Sequence, residues 1–349
     1  MRIIYGRDVD AALVEACRLA VRDEFMVEHE SRVGTTRRAV WPVATVYATP
    51  WMHTLRNPAR DANPFFHFME GLWMLAGRND VAFPVTYNST FGQFSDDGLT
   101  LNAAYGYRWR HHFGRDQLEI AIEMLRRDPT TRRCVVQMWD CTDDQNSASK
   151  DVPCNTQIYF SVRNGALDMM VCCRSNDIIW GAYGANAVHM SMLMDYVACA
   201  VGVQMGTYTQ VSNDWHVYTD RFPVHTLGAF IRAAPLVSIA AGREPLIEDT
   251  RNDGLPVQGS ACEYARVLFD EENAAFVADP FGDCNFVTPI LAFTAAPMAD
   301  AWRAFKFGDL PGAINAANGI RHARWRPACV EWLERRAAAR RARLQGEAR

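Results

Sequence analysis

Long apolar runs are missing from this chain. The longest, around Met190 to Met205, is broken by Asp195, so no stretch suits a membrane span. The first ten residues, MRIIYGRDVD, lack the apolar centre of a secretory leader, and a soluble, cytoplasmic protein with no membrane partner is expected. Charge of one sign is also missing. Forty acidic residues stand against 36 basic ones, a net charge of −4, which removes any global electrostatic case for nucleic acid or an anionic surface. A bound anion must therefore be held by a local pocket. Ten cysteines are present without a single CxxC pair, so neither a zinc cluster nor a dithiol motif is indicated, and no metal is expected. A chain of 349 residues that is 49% apolar needs no disulfide staples. Most of these thiols are expected to be small buried hydrophobes. Repeats and low-complexity linkers are absent too, which predicts one catalytic domain over residues 1–330 and an Arg/Ala-rich helical tail over 331–349.

What is present is a mixture of helices and hairpin-joined strands. Helical spacing after Asp8, a proline-opened apolar run from Pro64 to Ala76, and Gln117 to Arg127 ending at Asp128-Pro129 predict three helices. The β-forming CVVQMWD follows, then TQIYFSVRNGALDMMVCC, in which Asn164-Gly165 predicts a tight hairpin. A helix over Val188–Val201 and a strand MGTYTQVSNDWHVY complete the series. Regular strand–helix alternation is lacking, so the fold class is α+β rather than doubly wound.

The hairpin places Cys154, in Asp-Val-Pro-Cys-Asn-Thr, opposite Arg174-Ser175-Asn176-Asp177, because both lie at nearly equal distance from the turn. An arginine beside a cysteine favours the nucleophilic thiolate. Taken alone, a strand-edge cysteine near an ordinary arginine is the plainer reading. Arg174-Ser175, the pair Arg132-Arg133 and Ser31-Arg32-Val33-Gly34-Thr35-Thr36 add guanidinium forks and hydroxyls suited to a phosphate. His216 and Tyr218, two apart on a strand, share a face as paired groups for sugar hydroxyls.

Pro-Cys, Arg-Ser-x-Asp twenty residues on, Gly181, Asn186 and then His-x-Tyr thirty residues later together resemble the thymidylate synthase superfamily. The resemblance covers most of the chain and implies a mixed sheet covered by helices, assembled as a homodimer through the sheet. It implies Cys154 as nucleophile toward C6 of a pyrimidine nucleoside monophosphate, and 5,10-methylenetetrahydrofolate as co-substrate. Glu70 in EGLWMLAG would move protons at ring position 4, and Tyr105 in AAYGYRW would assist loss of the C5 proton. Arg32, Arg174, Ser175 and, from the partner subunit, Arg132 and Arg133 would hold the phosphate. His216 and Tyr218 would hold the sugar, Asn186 would read the base, and Asp177, Phe91 and Trp73 would face the folate. The family's asparagine stands four residues after the glycine, whereas Asn186 stands five after Gly181, so a local insertion is expected.

Other departures concern the product. Phe91 and Phe94 stand where the family has tryptophans, its Pro-Cys-His is Pro-Cys-Asn, and its short apolar tail is replaced by the Arg-rich helix. A changed folate wall and a lost closing tail favour water over hydride as the last nucleophile. Arg-Ser-Asn-Asp-Ile-Ile-Trp-Gly is similar to the motif of phage deoxycytidylate hydroxymethylases. The expected activity is therefore 5-hydroxymethylation of dCMP or CMP, in DNA-base modification or nucleoside antibiotic synthesis. A methylating synthase, a non-catalytic nucleotide-binding regulator and a cysteine hydrolase using Cys154 and His216 are the alternatives.

Overall fold

The computed structural model describes residues 1–31, 34–233, 260–282 and 285–347. An eight-stranded mixed sheet forms its centre. In chain order the strands are β1 Arg2–Gly6, β2 Met26–Ser31, β3 Gly34–Ala39, β4 Val43–Tyr47, β5 Val135–Gln137, β6 Asn155–Arg163, β7 Ala166–Asp177 and β8 Gln204–Tyr218. They lie in the order β1-β4-β8-β7-β6-β5, and β3 pairs with β2 and with β8. β1 runs parallel to β4 and β7 parallel to β8, while the other pairs are antiparallel. Fold class is thus α+β, as expected.

The β6–β7 hairpin turns at Asn164-Gly165, with φ of 51° and 76°, the left-handed pair a two-residue turn demands. Its far ends meet at Asn155 opposite Cys173. Helix Val9–Ala20 starts on the Asp8 side chain, which accepts from the Ala11 amide, and helix Pro64–Leu75 starts on Asn63, which accepts from Phe65 and Phe66. The second of these is buried on nearly every face, which explains its unbroken apolar sequence. It packs on helix Asn186–Val201, whose left-handed cap is Gly202.

Helix Trp325–Glu347 runs straight through residue 330, where the sequence suggested a boundary. Trp332 and Leu333 are buried in the main core, Ala337 is also buried, and Arg335 and Arg336 both pair with Asp61 at 3.0 and 2.7 Å. Only its later turns present the expected exposed basic face. Among the described residues no helix is long and apolar enough to cross a membrane. Of the eight cysteines whose side chains are described, Cys17, Cys134, Cys173 and Cys329 are buried; Cys141 is exposed, against the general expectation.

Candidate active site

The site lies where three strand ends coincide. β7 and β8 are parallel, with Ser175 opposite Asp214 and Asp177 opposite His216, so their C-terminal ends finish together. β6 begins at the same edge, which sets Cys154 beside them. Ligand sites favour this end of parallel strands because the chain must leave the sheet there in loops.

Cys154 is held from two sides. Arg174 donates through Nε to the Pro153 carbonyl at 2.7 Å and through a terminal nitrogen to the Val152 carbonyl at 3.0 Å, leaving that nitrogen 3.9 Å from Cys154 Sγ. Its guanidinium also lies over Trp139, 5.6 Å from the ring centre. The arginine pulls the thiol toward ionisation as the sequence implied, but burial is the larger influence and, with Asp151, holds Cys154 above the ordinary thiol range. The thiol is therefore mostly protonated until its surroundings change.

Tyr105 faces it from the other side. The backbone amides of Cys154 and Asn155 both donate to the Tyr105 hydroxyl, at 3.2 and 3.1 Å. Burial nonetheless raises its ionisation well above the usual tyrosine value, so it remains a neutral hydroxyl. The loops carrying the two residues are tied together. Asp151 accepts from the Ala103 amide at 2.7 Å, and Asn102 donates to the Asp151 carbonyl at 2.9 Å. Beneath them, fully buried Arg108 pairs with Asp144 through both terminal nitrogens at 2.6 and 2.9 Å and donates to the carbonyls of Asn102 and Met138.

Glu70, on helix Pro64–Leu75, is 12% exposed. Its Oε2 has no hydrogen-bond partner among the described residues and lies 3.4 Å from His189 Nε2. Burial raises the Glu70 carboxyl to about 8 and lowers His189 to about 4, so at neutral pH a carboxylic acid faces a neutral imidazole. His189 donates from Nε2 to the His67 carbonyl at 3.1 Å, which fixes its tautomer. His189 stands three residues beyond Asn186 on one helix, hence on the same side.

The extra residue before Asn186 is taken up in the kinked segment Ile178–Ala185, where Tyr183 and Gly184 leave helical geometry. The Asn186 amide donates to the Gly181 carbonyl, five back. The segment is pinned by Tyr47, donating to the Ala182 carbonyl at 2.8 Å, and by Thr45 on the Tyr183 hydroxyl at 2.7 Å. Gly184 cannot carry a side chain, since a Cβ would lie 2.8 Å from the Ile179 carbonyl. Asn186, rather than Ala185, thus reaches the cluster: it bonds Asn155 at 3.2 Å and Asn176 at 3.1 Å.

His216 is buried, and its Nδ1 lies 2.8 Å from Asp214, which is itself 3.6 Å from Arg38. Tyr218 packs edge-on against His216. β3 runs beside them, with Thr36 opposite Tyr218 and Arg38 opposite His216, so the Ser31–Gly34 hairpin end belongs to this edge. Arg32 itself lies outside the described residues. Arg174 is exposed, and Ser175 is half-buried. Arg132 and Arg133 are exposed ahead of β5 and make no ion pair among the described residues, so the chain by itself does not bring them to Cys154.

One Asp177 oxygen accepts from the amides of Ile179 and Trp180, whereas Oδ2 is buried with no partner among the described residues. Trp180, 44% exposed, stands next to it and packs on Tyr218 and Phe222. Phe91 meets Phe66, Trp73 and Phe94. Trp73, expected to face the folate, is 2% exposed with its indole nitrogen on Asp80, so it backs Phe91 instead of lining an open wall. Trp180, Asn155, Asn176 and His189 were not singled out as site residues from sequence.

A half-buried thiol, a carboxylic acid held neutral, a packed histidine–tyrosine pair and an exposed arginine thus gather at one rim of a mixed sheet, a set of groups suited to handling a nucleotide. Comparison with known proteins agrees: the thymidylate synthase family pattern matches residues 62–258. The chain belongs to the thymidylate synthase family, and is accordingly a one-carbon transferase. It is 41% identical to a deoxyuridylate hydroxymethyltransferase of Pseudomonas phage M6 over 98% of this chain and 97% of that protein. Against the deoxyuridylate hydroxymethyltransferase of Bacillus phage SP01 the identity is 37%, covering 62% of this chain and 59% of the other. A thymidylate synthase of Symbiobacterium thermophilum is 29% identical over 60% of this chain and 80% of its own. The family's co-substrate is methylenetetrahydrofolate.

Proposed function

We propose that this protein converts dUMP to 5-hydroxymethyl-dUMP, with methylenetetrahydrofolate as one-carbon donor and water as final nucleophile. The observation that carries the reading is the placement of Cys154 beside Tyr105 and the Asn155–Asn186 pair at one strand edge. Hydroxymethylation is supported by the phage M6 relative, alike over nearly the full length, and by Phe91 and Phe94 in place of tryptophans. Uracil replaces the cytosine expected from sequence because the relatives act on deoxyuridylate and because Asn186 is an amide, able to accept from N3–H and donate to O4.

In this reading Cys154 sulfur bonds to C6, the C5–C6 electron pair moves toward O4, and Glu70 supplies the proton there. Bound methylenetetrahydrofolate supplies the carbon joined to C5. Tyr105 helps remove the C5 proton through water as the new carbon parts from the folate nitrogen and tetrahydrofolate leaves; the hydroxyl of a water molecule then adds to that carbon, its proton passing to solvent, and the S–C6 bond breaks with its electron pair returning to sulfur. Oδ2 of Asp177, without a partner among the described residues and with Trp180 beside it, suits a pterin bearing N–H donors. Ser175, Arg174 and Arg32 would take the phosphate, and His216, ordered by Asp214, the sugar. Pairing through the open sheet face, where Val135 and Met170 are exposed, would add Arg132 and Arg133 of the partner subunit.

The test is incubation with methylenetetrahydrofolate and each of dUMP, dCMP and CMP, followed by mass spectrometry. Addition of one CH2O unit to dUMP with release of tetrahydrofolate is expected. A methyl gain with dihydrofolate appearing, or preference for a cytidylate, would overturn the reading.

A further inference from the structure

Four carboxamides stand in single file across this end of the sheet. Asn155 Nδ2 donates to Asn186 Oδ1 at 3.2 Å, and Asn186 Nδ2 donates to Asn176 Oδ1 at 3.1 Å. Asn176 Nδ2 donates to Gln210 Oε1 at 2.9 Å and to Ser212 Oγ at 3.0 Å, and Gln210 Nε2 donates to the Tyr208 hydroxyl at 3.0 Å. Asn155, Asn176, Gln210, Ser212 and Tyr208 are all buried. The inner end of the file consists of hydroxyls, which donate or accept equally well. Its outer end is Asn155, whose Oδ1 is buried with no hydrogen-bond partner among the described residues.

A carboxamide has direction, and a file of them must run one way. Turning Asn186 alone would set its NH2 against the Asn155 NH2 and its oxygen against the Asn176 oxygen, exchanging two hydrogen bonds for two repulsions in a dry site. Asn186 can therefore reverse only with the whole file. Little slack exists, because a Cβ on Gly181 would fall 2.8 Å from Asn176 Oδ1 and 3.2 Å from Asn186 Nδ2. The base edges demand opposite directions: uracil offers N3–H and O4, cytosine offers bare N3 and an amino group.

We propose that Asn155 is a specificity-determining positioning residue: by donating to Asn186 it sets the direction of the amide file and so selects uracil over cytosine. This rests on the reading of Asn186 as the base-contacting residue. Asn155 sits next to the nucleophile in sequence, so the same strand start fixes both where bond formation occurs and which ring is admitted.

The test is a competition assay with dUMP and dCMP on wild type, Asn155→Ala and Asn155→Asp, with product masses giving the ratio of kcat/KM values and thermal melts reporting folding. Asn155→Asp presents an acceptor where a donor stood, so Asn186 should turn its NH2 outward and the dUMP/dCMP ratio should fall roughly tenfold to a hundredfold. Asn155→Ala should lower the ratio less. If the aspartate variant does not fold, the alanine variant decides, and Gly181→Ala, which wedges the Asn176–Asn186 contact, should lower the ratio independently. A unified fall in both activities with an unchanged ratio would overturn the proposal, since a merely structural residue has no reason to distinguish the two bases. A wild-type enzyme that turns over neither nucleotide would instead overturn the proposed function, before any variant is compared.

Discussion

The two ends of the site are built differently. At the proposed base end, the loops of Cys154 and Tyr105 are cross-tied by Asp151, Arg108 and Asp144, Asn155 opens β6, Asn186 and Glu70 lie on helices, and burial shifts Cys154, Tyr105 and Glu70. At the proposed phosphate end, Arg174 is exposed. Proton transfer and bond formation need fixed distances and matched proton affinities, which only enclosure provides. Capture of a phosphate needs permanent charge and reach, which exposed arginines supply without enclosure. Arg174 joins the two ends, since its hydrogen bonds hold the Cys154 loop while its charge faces outward.

Removing groups from each end should sharpen this contrast. The largest effect is expected for Cys154→Ala, which should lower turnover by about 10⁴ or more while equilibrium dialysis finds dUMP affinity changed only a few-fold. Glu70→Gln should lower kcat by roughly 10²–10⁴ and remove a descending limb near the value of about 8 to which burial raises this carboxyl. The same shift affects stability. Because the folded carboxyl holds its proton more tightly than the unfolded one, its contribution is full below the ordinary glutamate value of 4.5 and is lost as pH rises through about 8. Melting curves should therefore show Glu70→Gln gaining on wild type as pH rises through that window. Arg108→Ala, which strands buried Asp144, should cost about 3–5 kcal/mol in denaturant unfolding. Smallest is Arg174→Lys, which keeps the charge but loses the fork, and should raise KM by roughly tenfold with a lesser fall in kcat. A larger fall in kcat than rise in KM would place Arg174 with the base end.

Legibility in the sequence divides along the same line. The hairpin was readable because Asn164-Gly165 forces a turn, and with it the meeting of Cys154 and Arg174. The charged residues proposed to face a phosphate were readable as residue types. Strands β2 and β3, MVEHES and GTTRRA, carry no clean alternation; β3 pairs with β8, well over a hundred residues away, and β2 joins the sheet through β3. The amide file is silent for a related reason: Asn155, Asn176, Asn186 and Gln210 are neutral, scattered along the chain, and meet only where β6, β7, β8 and the helix Asn186–Val201 come together. His189 is hidden inside an apolar helix, where a structural histidine is the ordinary expectation. The sequence signalled the pull of Arg174 on Cys154 with the right sign and missed the larger opposing effect of burial, because proximity of charge is visible in a motif and burial is not.

The central claim is that the enclosed end activates C5 of a uracil nucleotide through Cys154. Release of tritium from [5-³H]dUMP, measured with saturating nucleotide and methylenetetrahydrofolate, tests it most directly. The account predicts steady release by the wild-type enzyme and none above background by folded, dUMP-binding Cys154→Ala. Release at the wild-type rate by that variant, or none by the wild-type enzyme, would contradict it.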